Sequence, residues 1–531
     1  MLPYLARYPN KEDAEFLRQG FTNGFRLQFE GPQTSYVSKN HASATSHASV
    51  MQEKIDKEVL LGRILGPFDS PPLPNLRCSA IGLVPKKSDN PDPNSTDNWR
   101  FIHDLSTYPK NDSVNSWVAD KYAKVEYNSF DEFIDNLAAL GPGALMAKAD
   151  LKSAFRTLPM SPLDFHALGL TFNGKYYVNV CMPMGARVSC ATYEKFSTFI
   201  QWCIEDVSGK KLVTHYIDDF LFFGAAGTSD CDIMIDAFNF ITETFHIPTV
   251  LYKSEGSNTA MEALGLLADT QLQLVCVPQD KVILAKDLIA TALGHKHNKV
   301  TLRELQSLIG SLQFLCRAVA PGRAFIRRLT YLTIGALHPM HHIRLSAGAR
   351  LDLQMWLHFL MHYNGTTFFR SIQWSTNDNL DLFSDASGWG IGLYFAGRWS
   401  FAQWPRPTRL TQSIQLMEIF PIAVALTIWG HHLVNHKVIF HCDNLAVVEA
   451  LNQQSSRNKD IMAVIRYIVL TTLRHNIVFK CNHVPGVLNI FSDQLSRGRI
   501  NQFRAECKHA DQGPTAIPYH LWSILSNELS L

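Results

Sequence analysis

Apolar residues run through His215-Tyr-Ile-Asp-Asp-Phe-Leu-Phe-Phe-Gly224 on both sides of two adjacent carboxylates. Val213 and Tyr216–Phe223 read as a pair of buried strands joined by a tight turn. Upstream, Ala144-Leu-Met-Ala-Lys-Ala-Asp150-Leu-Lys-Ser-Ala-Phe155-Arg reads as a short apolar strand that ends at Asp150 and turns into a helix. Val300-Thr-Leu-Arg-Glu-Leu-Gln-Ser-Leu-Ile-Gly-Ser-Leu has the i, i+3, i+4 spacing of an amphipathic helix. Farther on, Leu382 to Phe395 alternates at period two with Gly388, Gly390 and Gly392 interspersed, which predicts a β-hairpin opening a sheet. Leu416 to Leu426 reads as an apolar helix carrying one acid, Glu418. Val438 to Asp443 reads as a buried strand ending in an acid, and Asp493 opens an apolar helix.

Composition sets the class without naming a chemistry. A chain of 531 residues is long enough for about three or four domains. The pattern contains no run approaching eighteen uninterrupted apolar residues, so no membrane span is expected. The start, Met1-Leu-Pro-Tyr-Leu-Ala-Arg, lacks an apolar core of signal-peptide length. The 10 cysteines have no paired or zinc-knuckle spacing, which fits reduced thiols in the cytoplasm or nucleus. His431, His432, His436 and His441 alternate between a helix end and a strand and read as non-ligands. A net charge of +2 is low for a nucleic-acid binder, so any electrostatic footprint must be local. Arg303, Arg317, Arg323, Arg327 and Arg328 form one such basic stretch among apolar helical repeats. It reads either as a phosphate-tracking face or as an ordinary solvated one.

The carboxylates carry the chemistry. Ionised Asp is costly to bury unless a cation sits beside it, so Asp218 and Asp219 at a turn suggest a divalent-metal site. Asp150 at a strand end can face that turn across a sheet, although it could also cap the helix after it. Mg²⁺ takes hard oxygen ligands, and two such ions about 4 Å apart clamp the attacking and leaving oxygens of a phosphoryl transfer.

From about residue 80 to 270 the motif order resembles the fingers and palm of a reverse transcriptase. Leu83-Val-Pro-Lys86-Lys87 and Trp99-Arg100-Phe-Ile-His-Asp104 resemble the fingers strands, separated by a polar insert, Ser88–Asn98. Asp150–Phe155, Met182-Pro-Met184-Gly185-Ala-Arg-Val-Ser189 and Tyr216–Asp219 resemble the palm motifs. Lys253-Ser-Glu followed by Leu264-Gly-Leu resembles the lysine turn and primer grip. The resemblance implies that Lys86, Lys87 and Arg100 neutralise an incoming triphosphate. It implies that Gly185 lets the backbone approach the base pair, that Phe155 rejects a 2′-hydroxyl, and that Lys253 gives a proton to pyrophosphate. Met184 stands where retroviral enzymes usually carry Gln, which puts one nucleotide contact in doubt.

The later acids, Asp385, Glu418, Asp443 and Asp493, resemble the tetrad of a ribonuclease H, with two Mg²⁺ activating a water. His483 fits a loop histidine that shuttles protons, and equally a packed or solvent-facing one. The implied fold is a mixed α+β and α/β multidomain chain, a right-hand polymerase followed by a ribonuclease H-like domain. Its expected divisions are an N-terminal extension at 1–78, fingers and palm at 79–280, thumb and connection at 281–375, ribonuclease H at 376–500, and a tail at 501–531.

Gly62-Arg-Ile-Leu-Gly-Pro-Phe-Asp-Ser-Pro-Pro72 and His215-Tyr-Ile-Asp-Asp-Phe-Leu are similar to DIRS-type retroelements, with Gypsy-type elements the nearer competitor. A DIRS-type element implies a tyrosine recombinase as a further partner. No recombinase, protease or capsid segment is recognisable here, so a portion of a polyprotein or a relic is expected. The expected function is RNA- and DNA-directed DNA synthesis with attached ribonuclease H. The expected ligands are dNTPs, RNA template, DNA primer–template, RNA–DNA hybrid and Mg²⁺, with Mn²⁺ a possible substitute. The alternative is a domesticated nucleic-acid-binding protein without catalysis.

Overall fold

The computed structural model describes the chain except residues 87–94, 108–111, 129, 251–253, 363–365, 369–381, 406–412, 435, 476, 485–488 and 526–531. Lys87, Lys253 and most of the polar insert lie outside the described residues. The chain divides into two compact units, Met1–Ala263 and Leu264–Leu531.

In the first unit, the Asp219–Gly224 strand lies between Leu145–Asp150 and Val213–Tyr216 in a four-stranded antiparallel sheet whose far edge is Glu255–Asn258. The unbroken Phe220–Phe223 run has a simple cause: both faces of this strand are covered. Phe220 and Phe222 pack on Phe238 of the helix Asp230–Thr244, while Phe223 meets Phe133 of the helix Phe130–Leu140. The helix Ser189–Ser208 completes this core with Tyr193, Phe196, Phe199, Ile200 and Cys203. A second, five-stranded sheet runs Tyr36–Val37, Arg77–Cys78, Gly169–Phe172, Lys175–Asn179, Ile64–Phe68. The predicted fingers strands form an antiparallel ribbon, Ala80–Pro85 with Trp99–Asp104.

The second unit opens with the paired strands Leu266–Asp269 and Leu274–Cys276, followed by helices that include Gln279–Gly294, Leu302–Leu315 and Ala347–His362. The amphipathic helix starts at Leu302, not Val300, because Thr301 caps it. The Thr301 hydroxyl accepts from the Glu304 amide, and the Glu304 carboxylate accepts from the Thr301 amide. Leu382–Ala386, Gly390–Phe395 and Arg398–Gln403 make an antiparallel meander. Lys437–Cys442 and Val478–His483 pair in parallel. Helix Ile414–Trp429 is buried nearly all round, as its uniform apolarity demands. Extended to His432, it is long and apolar enough to cross a membrane, yet 67% of the stretch is buried inside the unit, as in a core helix. All ten cysteines are free thiols.

Candidate active sites

The first acidic cluster is fixed by strand register. Asp219 pairs directly with Asp150 across the antiparallel ladder and with Tyr216 in the hairpin. Between them Ile217 takes a left-handed φ of 59°, which makes the turn tight, and the Ser197 hydroxyl donates to its carbonyl at 2.6 Å. The Asp218 carbonyl accepts from the Leu151 amide at 3.0 Å, tying the turn to the chain just past Asp150. Asp150 is buried, Asp218 half-buried and Asp219 exposed, so the three acids form a graded opening to solvent. Burial pushes the phenol of Tyr193 up, and the charges of Asp218 and Asp150 push it further. Asp150 does not cap a helix at Leu151, because the next helical turn is Ala154–Thr157, preceded by Ser153 in the left-handed region.

The surrounding positions are less uniform. Lys86 and Arg100 are both exposed at the far end of the antiparallel ribbon, where Val84 pairs with Arg100. Phe155 is buried and packs edge-on against Tyr193, ring centroids 5.3 Å apart. Met184 is 61% exposed. At Gly185 a Cβ would lie 2.1 Å from the carbonyl oxygen of His103. Its small size admits the neighbouring strand, whatever else approaches it. The Gly185 carbonyl also accepts from Asn115 at 2.8 Å.

The second cluster lies wholly in the other unit. Asp385 sits on the first strand of the meander opposite Gly392, and the Ser496 hydroxyl donates to its carboxylate at 2.5 Å. Burial first, then Asp493 and Asp443, raise its pKa to about 6 despite that bond. Glu418 projects from the buried helix and is raised to about 8 by burial and then by Asp385 and Asp443, while the Ala386 amide holds it back. Asp443 follows the strand Lys437–Cys442 and is exposed. Asp493 lies in the first turn of Ile490–Ser496, half-buried, and accepts from Arg497 at 2.7 Å. A bare Gly392 lets this helix onto the sheet: a Cβ would stand 2.2 Å from the Ser492 carbonyl oxygen.

Two residues here escape a reading of the pattern alone. Cys442 has its sulfur among the Glu418 and Asp443 carboxylates, with possible ligand atoms all within 4.8 Å. Burial lifts that thiol to about 12, so it stays neutral beside the acids. Asn489, nearly buried, donates to the Ser384 carbonyl at 2.9 Å and anchors the chain that leads to Asp493. Cys442 reads as one more apolar position of its strand, and Asn489 is placed by a contact 105 residues away in sequence. His483 is not a loop residue. It ends the strand Val478–His483, exposed, with Nε2 3.2 Å from the Asp443 carbonyl oxygen.

The basic stretch does not present one continuous face. Arg328 binds Asp352 at 2.9 Å and the Gly348 carbonyl at 3.2 Å, so its charge is already partnered. Arg317 lies over Phe314 and Arg327 over Tyr331.

No family model and no curated protein matches the chain. Among solved structures it is similar to a foamy viral protease-reverse transcriptase dRH in complex with double-stranded DNA, at 17% identity and a TM-score of 0.49, covering 91% of this chain and 82% of that one. It is also similar to the foamy viral protease-reverse transcriptase in complex with double-stranded DNA, at 16% identity and 0.47, covering 91% and 96%. For the same viral protein in complex with an RNA/DNA hybrid the values are 16% and 0.46, covering 90% of this chain and 62% of that one.

Proposed function

We propose that the chain is a reverse transcriptase with an attached ribonuclease H, each chemistry lodged in its own unit. The observation that carries this reading is the register of Asp150 opposite Asp219, with Asp218 at the hairpin tip between them. Carboxylates brought to one end of a sheet in this way favour a bound divalent cation.

The donor sets fit Mg²⁺. Asp150, Asp218 and Asp219 offer only hard oxygens, as do Asp385, Glu418, Asp443 and Asp493. The one soft atom nearby, the Cys442 sulfur, is kept as a thiol. Asp150 and Asp218 would hold the ions of the polymerase with Asp219 supporting them, and the other four acids those of the nuclease. When bound, such a pair supplies charge stabilisation to the attacking and leaving oxygens of a phosphoryl transfer.

This chain's own groups do the rest. Lys86 and Arg100, with Lys87, neutralise the triphosphate, and Phe155 backs the sugar against Tyr193. Met184 and Gly185 lie beside the nucleotide, and Lys253 protonates the leaving pyrophosphate. At the nuclease, His483 moves a proton at the Asp443 end of the paired strands. The substrates are RNA or DNA template with a DNA primer, dNTPs, and the RNA–DNA hybrid. A DIRS-type retroelement is the source that the sequence phrases favour.

Primer extension on an RNA template with Mg²⁺ and dNTPs tests the reading. Asp218→Asn is expected to lower the rate by more than about a hundredfold, because several kcal/mol of charge stabilisation go with the ligand. Duplex binding by the variant stays as in the wild type. A wild type that binds duplex and never extends it would instead be the domesticated binding protein.

A further inference from the structure

A second, chemically different site lies in the Leu264–Leu531 unit. An open cavity of about 220 Å³ is lined by Gln313 and Cys316, by Arg323, Arg327 and Thr330, and by Gln453 and Ser455 at the end of the helix Leu445–Gln453. The residues that line it bring two guanidinium groups, two carboxamides and a serine hydroxyl to one space, and none of them carries a carboxylate.

These donors are not engaged elsewhere. Among the described residues, Gln313, Arg323, Arg327, Gln453 and Ser455 make no side-chain hydrogen bond or ion pair, and Nε of Arg327 is buried without a partner. Arg327 has only the face of Tyr331, 4.6 Å from its guanidinium carbon to the ring centroid. The nearby acid serves other residues: Asp352 binds Arg328 at 2.9 Å and Arg466 at 3.5 Å. Two like charges facing one cavity, one with a buried unpaired N–H, are unfavourable until an anion joins them. The forked geometry of guanidinium suits phosphate oxygens. The cavity lies below the range of about 300–1,000 Å³ that houses whole drug-sized ligands, which limits the buried part to one or two phosphoryl groups.

We infer that this cavity is a phosphoryl-binding site, in which Arg323 and Arg327 clasp a phosphate whose remaining oxygens accept from Gln313, Gln453 and Ser455. The site shares no residue with either acidic cluster, so it stands or falls apart from the proposed catalysis. The phosphate has two possible sources, a small free anion or a phosphodiester of a bound strand.

Calorimetric titration of the full chain at low ionic strength, with inorganic phosphate and pyrophosphate as probes, tests it. Saturable millimolar or tighter binding is expected, weakened at least about tenfold in Arg323→Gln/Arg327→Gln. Arg18→Gln, which removes an exposed arginine paired only with Glu15, serves as the control and leaves binding unchanged. Gln453→Ala, at the open rim, weakens it more modestly and keeps the test decisive if the double variant misfolds. An oligothymidylate without terminal phosphate then separates the sources. Competition with inorganic phosphate assigns the site to a strand, and its absence to a small anion. Unaltered phosphate binding in the double variant, or no saturable binding by the wild type, overturns the inference.

Discussion

Charge placement decides the behaviour of single residues here, and Asp352 shows it away from either acidic cluster. Its carboxyl is buried between Arg328 and Arg466, and burial lifts it to about 6 although both guanidinium groups pull it down. Its folded value lies above the unfolded one. Its contribution to stability is therefore complete below the ordinary carboxylate range and is lost as pH climbs through about 6. Subtracting the pH profile of Asp352→Asn from that of the wild type isolates this group. The difference in unfolding free energy is expected to fall by about 3 kcal/mol between about pH 4 and about pH 7. Denaturant titrations across that range measure it, and a difference that rose with pH would mean the arginines outweigh burial. The same balance explains why Asp218 was readable from sequence. A charge in an apolar run is conspicuous because leaving it there uncompensated is so costly.

At the scale of elements, periodicity located nearly every strand and helix that carries an acid, since each has one or two buried faces. The Asp219 strand reads as a continuous apolar run because helices cover it on both sides, and the Glu418 helix for the same reason. What periodicity could not supply was how the elements meet. Gly392 looked like one glycine among three in a hairpin, yet its bare Cα is where the helix Ile490–Ser496 reaches the sheet. Gly185 likewise answers to the His103 carbonyl of a distant strand. Arg328, one of a run of arginines by sequence, is held by an acid 24 residues away. The glycine contact yields a prediction that touches no acid. Gly392→Ala places a Cβ 2.2 Å from the Ser492 carbonyl oxygen and 2.4 Å from the Ser496 amide, so the helix bearing Asp493 must retreat. The variant is expected to lose about 1–3 kcal/mol of stability. Hybrid cleavage should fall by about a hundredfold, because a shift of about 1 Å in a catalytic group has that effect. Cleavage at the wild-type rate would show that Asp493 is not needed where it stands.

For the whole molecule, the division at Ala263/Leu264 matters because the two acidic clusters fall on opposite sides of it. Asp150, Asp218 and Asp219 are held by strands of the first unit alone, and Asp385, Glu418, Asp443 and Asp493 by elements of the second alone. Sites that share no residue and no hydrogen-bond network respond additively to substitution. Asp218→Asn is therefore expected to abolish primer extension while leaving RNA–DNA hybrid cleavage within about twofold of the wild type. Glu418→Gln should do the reverse. Mg²⁺ separates the two further, since a bound ion stabilises only a fold that holds its ligands. With each unit's unfolding followed separately, Mg²⁺ should raise the midpoint of the second unit in the wild type and in Asp218→Asn. That increment should be lost in Glu418→Gln, because the substitution removes one of the carboxylate ligands of that cluster. If Glu418→Gln crippled extension as well, the acids of the second unit would be serving the chemistry of the first, and two independent active sites would have to be given up.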